Sequence, residues 1–140
     1  MQVLSRFTKD LLEKPANLST ASKYTAMNGL IYLSGGALLV VWPGLTQTLL
    51  MDRPFVGDEE GLIRVAGLTV LVIGWFYLFG GRSGARQVVA ASVVNRLTFV
   101  PLLVPLAIAG VFPHLLLSFA CLDAVLAVGA WWLSVEPFEG

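Results

Sequence analysis

The chain has 140 residues, zero formal net charge, 56% hydrophobic residues and 13% charged ones, with a mean hydropathy of +0.79. A water-soluble domain carries about a quarter charged residues, so that class is excluded. The balanced charge gives no reason to expect nucleic acid or an acidic substrate as partner. The one cysteine, Cys121, lies in an apolar run and has no second cysteine to pair with.

Residues 1–22 form an N-terminal segment ahead of the membrane domain. Val3, Leu4, Phe7, Leu11 and Leu12 recur at spacings of three and four, with Arg6, Lys9, Asp10 and Glu13 mostly between them. This predicts a short amphipathic helix, stopped by Pro15 and lying in the headgroup region. A signal peptide would place its apolar core close behind a short basic start, and a transit peptide would avoid Asp10 and Glu13; neither is expected.

Residues 23–134 read as one all-α transmembrane domain, an antiparallel four-helix bundle with spans at about 24–42, 61–81, 87–109 and 113–133. A short acidic tail, 135–140, follows. The first span is capped by Ser19, Thr20 or Ser22, carries no charge after Lys23 and ends at Pro43-Gly44. Residues 45–51 suggest a short interfacial turn. The second span, Gly61 to Gly81, is a nearly unbroken apolar run that reaches ~30 Å as a helix, about the thickness of a hydrocarbon core. Between the third and fourth spans, Gly110 to Pro113 leaves room only for a tight turn, so those helices should be antiparallel neighbours.

Lysine and arginine are distributed unevenly. Arg6, Lys9, Lys14 and Lys23 precede the first span and Arg82 and Arg86 follow the second, whereas the first loop holds only Arg53 and the last holds none. This predicts both termini on the cytoplasm-equivalent side. The run Gly29-Leu30-Ile31 is echoed by Gly61-Leu62-Ile63, but the two helices run in opposite directions, which opposes a simple tandem repeat.

Charges within spans are expensive and raise functional questions. Arg64 follows Glu60 by four residues, the spacing of a helical ion pair at the interface. Asp123 lies near the middle of the fourth span, sharing a face with Ala120, Ala124, Ala127 and Ala130 that should be turned toward protein. Arg96 lies at comparable depth in the third span, beside Asn95. Counted from the turn, Arg96 and Asp123 differ in height by only ~6 Å. An intramembrane Arg96–Asp123 ion pair is expected, with Asn95 as added polar partner and Arg64 as the rival partner for Asp123. Such a pair would either fix helix register or line a site for a lipid headgroup, a quinone-like molecule or a proton.

Pro101 and Pro105 should bend the third helix, either as a static kink or as a broken helix lining a transport site. Gly67 and Gly74, seven apart, could form a packing seam. The turn from Gly80 to Arg86 lacks the lysine and hydroxyl ending of a nucleotide loop and follows no strand, so it reads as a basic turn contacting headgroups. His114 has no second ligand nearby and is weak evidence for metal or pigment. Interfacial belts account for most of Trp42, Trp75, Trp131, Trp132, Tyr24, Tyr32 and Tyr77. No nucleophile set, metal-spaced cluster or paired carboxylates at depth marks an enzyme.

The succession Gly61-Leu62-Ile63-Arg64, Gly67, Gly74, Tyr77, Arg82, Arg96 and Asp123 resembles small DoxX-like four-helix membrane proteins over roughly residues 24–133. The resemblance implies the fold and an association with oxidoreductases or membrane complexes, and it carries over no functional residue. The expectation is a non-enzymatic integral membrane protein, an accessory or structural subunit packing on other subunits or itself. Lipid, quinone or pigment would lie at its helix faces. The alternative is a small transporter or proton-coupled protein using Arg96, Asp123 and the kinked third helix.

Overall fold

The computed structural model describes residues 2–135, and its regular structure is entirely helical: α1 (Gln2–Leu12), α2 (Thr20–Val41), α3 (Pro43–Leu49), α4 (Glu59–Arg82), α5 (Arg86–Ile108) and α6 (Pro113–Val135). Four of these, α2, α4, α5 and α6, have 22, 24, 23 and 23 residues and are apolar enough to cross a bilayer. The chain is a multi-pass membrane protein. α2 begins at Thr20 because the Ser19 side chain accepts a hydrogen bond from the Ser22 amide at 3.1 Å, satisfying one orphan donor of the first turn. α6 still includes Val135, and the acidic residues expected beyond it, at 136–140, lie outside the described residues.

α2 ends at Val41, just before Pro43-Gly44 as expected, but Pro43 then opens a short helix, α3, where residues 45–51 suggested an interfacial turn; its missing N–H and fixed φ suit a first helical position. α5 is not broken; it runs through both Pro101 and Pro105 as one helix.

α2 packs most extensively on α4, and α5 on α6; narrower contacts of α2 with α5 and α6 join the two pairs. In the first pair the backbones nearly touch. A Cβ on Gly29 would stand 2.4 Å from the Leu78 nitrogen, one on Gly36 2.7 Å from the Leu71 nitrogen, and one on Gly74 2.6 Å from the Leu33 nitrogen. Residue numbers fall along α4 as they rise along α2, with Gly81 against Ser22 and Ala26, Gly74 against Gly29, and Gly67 against Gly36. The two helices therefore run in opposite directions. Lipid is as apolar as leucine, so helices associate there through close van der Waals packing, which glycine permits. The expected Gly67–Gly74 seam is thus filled by the chain's own α2. Gly61, the start of the sequence echo, faces open space.

The second pair is joined by a helix-stop in which Gly110, at φ +85°, donates to the Ala107 carbonyl and Val111 to the Leu106 carbonyl. This double bond pattern closes a helix end and needs a residue comfortable at positive φ. α1 stands apart. Val3, Leu4, Phe7, Leu11 and Leu12 are exposed along it, and Arg82 of α4 reaches its last turn by donating to the Leu12 carbonyl at 3.2 Å.

Candidate functional site

The site is built from the polar face of α2. Ser22, Thr25, Asn28 and Tyr32 recur at three and four residues, and all four are buried. Against this face α5 brings Ser92 and Arg96, α4 brings Tyr77, and α6 brings Asp123. In an apolar medium such groups depend on partners within the protein, and the Thr25 hydroxyl is buried with none among the described residues.

Arg96 is fully buried, at 0% exposure. Its Nε donates to the Tyr32 hydroxyl at 3.3 Å and its Nη1 to the Leu126 carbonyl at 3.4 Å. With its amide oriented to suit its neighbours, Asn28 accepts from Arg96 Nη2 at 3.3 Å and donates to the Tyr24 carbonyl at 3.2 Å. The guanidinium carbon lies 4.5 Å from the Tyr77 ring centroid and 5.5 Å from that of Tyr32. The two rings meet edge to face at 90°, 5.3 Å between centroids. Aromatic faces carry negative potential and stabilise a desolvated cation.

Asp123 is also buried, and its Oδ1 accepts a hydrogen bond from the Tyr32 hydroxyl. Among the described residues its other oxygen accepts none. Arg96 and Asp123 are therefore brought together, but through Tyr32; the direct ion pair expected from the sequence is not made, because the tyrosine hydroxyl occupies the space between them. Asn95 is half-buried one position away and donates to the Tyr77 hydroxyl at 2.8 Å, so it steadies one of the rings over the cation instead of touching Asp123. Ala120 and Ala127 are buried beside Asp123, and Ala124 is partly exposed.

Arg64 belongs elsewhere. Its Nη2 meets Glu60 Oε1 at 2.8 Å, and its Nη1 donates to the Val40 and Val41 carbonyls at the end of α2. α2 has no basic residue in its own last turn, so α4 supplies the cation that its C-terminal carbonyls attract. At the same end, Asp52 does the reverse for α6. Its carboxylate accepts from the His114 amide at 3.0 Å and the Leu115 amide at 2.8 Å, with His114 Nδ1 3.3 Å away. Arg53 lies 4.8 Å over the Phe112 ring and forms a two-point pair with Glu59, whose hydrogen bonds push the Arg53 pKa up.

The sequence reading missed Tyr32, Asn28 and Asp52. Tyr32 and Tyr77 stand among seven aromatic residues of which most are expected in interfacial belts, yet both are buried in the core, whereas Trp42, Trp75, Trp131 and Trp132 are at least half exposed. The polar spacing of Ser22, Thr25, Asn28 and Tyr32 was the available signal. For Asp52 the signal was a gap: no residue suited to capping stands just before Pro113, so the cap had to come from elsewhere.

The fold and this cluster define a four-span membrane protein whose two helix pairs share a buried cation, two tyrosines and a carboxylate. Comparisons with protein-family models, curated proteins and solved structures give no match.

Proposed function

We propose that this chain is a non-enzymatic integral membrane protein, an accessory or structural subunit of a larger membrane assembly. Lipid, or a lipophilic molecule such as a quinone or pigment, would cover its outer faces. The observation that carries this reading is the enclosure of the Arg96 guanidinium. Each nitrogen of the Arg96 guanidinium has an acceptor in the chain, and two rings cover it. A cation so occupied clamps helices together rather than receiving a ligand. Contact with partners then falls to the outside, where Leu62, Val65, Leu68, Val72 and Phe76 of α4 are exposed. The DoxX-like resemblance points the same way. Native mass spectrometry after gentle extraction from the protein's own membrane tests this. Larger bound partners are expected; a lone chain or small homo-oligomer would sink the subunit reading.

One observation favours a second reading, proton coupling. Asp123 keeps one carboxylate oxygen without a partner among the described residues, and the Tyr32 hydroxyl links its other oxygen to Arg96. A pH-dependent flux in liposomes, abolished by Asp123→Asn in a correctly folded variant, would establish it.

We read both termini as lying on the cytoplasm-equivalent side. The unequal lysine and arginine distribution supports this orientation.

A further inference from the structure

The two ends of the bundle treat their charges differently. At the end formed by the α3–α4 loop, both arginines are neutralised: Arg53 by Glu59 and Arg64 by Glu60. The helix N-termini there are also answered, α4 by Glu59 and Glu60 in its first turn and α6 by Asp52. Among the described residues the opposite end differs: α2 has only the uncharged Ser19 cap. Arg6, Lys9, Lys14, Lys23, Arg82 and Arg86 form no ion pair among the described residues. The N-termini of α2 and α5 open onto that end with no acidic residue in either first turn. Arg86 even stands at the first position of α5, where the helix dipole repels a cation. Only Asp10 and Glu13 oppose this charge among the described residues, and neither is paired.

We propose that this end is a docking surface for anionic phospholipid headgroups, with α1 lying along it. Several contacts hold the parts together. Arg82 reaches the Leu12 carbonyl, and Gly84 in the α4–α5 turn lies near Leu18 and Pro15 of the linker. α1 is thereby hinged to the basic turn, with Val3, Leu4, Phe7 and Leu11 open for insertion at the acyl boundary. Anionic leaflets attract such juxtamembrane cations strongly, each one changing affinity about fivefold at low salt.

The test uses the whole chain in nanodiscs, of phosphatidylcholine alone or with phosphatidylglycerol added, and follows hydrogen–deuterium exchange of residues 2–12. Slower exchange in the anionic discs is expected, with the difference shrinking as salt is raised. Lys14→Gln and Arg86→Gln each reduce the anionic effect about fivefold; both side chains are exposed and make no hydrogen bond or ion pair in the described structure, so the fold is spared. Arg53→Gln, at the other end, leaves the effect unchanged. Equal exchange in the two lipids overturns the proposal, as does protection of α1 that arises only with a co-purified protein. The proposal does not rest on the subunit reading: a chain that extracts alone can still show the anionic effect.

Discussion

The α2–α4 seam and the cluster between the helix pairs solve the same problem by opposite means. Along the seam, glycines leave out the side chain at each point of closest approach so that two backbones come within contact distance, and dispersion does the holding. At the cluster, large polar side chains fill the space between α2, α5 and α6, and directed hydrogen bonds around Arg96 do the holding. The first arrangement is intolerant of added volume. The second is intolerant of lost partners.

Substitutions can separate the two. The largest effect is expected from Arg96→Met, which leaves Asp123 buried with no cation; about 3 kcal/mol should be lost. Thermal unfolding in detergent would show this as a large fall in Tm, partly restored by adding Asp123→Leu. On the seam, two adjacent glycines give the sharper contrast. Gly36→Ala would press a methyl against the Leu71 nitrogen at 2.7 Å and the Gly67 carbonyl at 2.8 Å, where backbone cannot move aside. About 2 kcal/mol should be lost. Gly35→Ala meets nothing within 4 Å and should instead gain roughly 0.5–1 kcal/mol from helix propensity. Equal Tm shifts for the two would mean that the seam is not close-packed. Smaller again is Asp52→Ala, which removes two amide acceptors from the α6 start and should cost about 1 kcal/mol. Its signature is faster amide exchange at His114 and Leu115, with the middle of α6 unaffected.

The contrast also explains what was legible in the sequence. The spans could be read within a few residues because length and apolarity are local properties that the bilayer enforces. The depth of Arg96 and Asp123 followed from helical rise, and the structure joins them. The tyrosine between them was hidden because Tyr32 comes from a helix far away in sequence, and tyrosine in a span serves an interface equally well. Gly67 and Gly74 were visible as a seam, but glycine spacing does not say which helix fills it; Gly29 and Gly36 do. Asp52 caps α6 from 62 and 63 positions away, beyond the reach of any local motif.

The central claim is that Tyr32 carries the connection between Arg96 and Asp123. A double-mutant cycle tests it directly: Tyr32→Phe, Asp123→Leu and the two combined, each measured by reversible unfolding in mixed detergent micelles. The claim predicts that the double variant loses less stability than the sum of the singles, by about 1 kcal/mol. Strictly additive losses would mean that the hydroxyl and the carboxylate act independently, and the linked cluster would have to be abandoned.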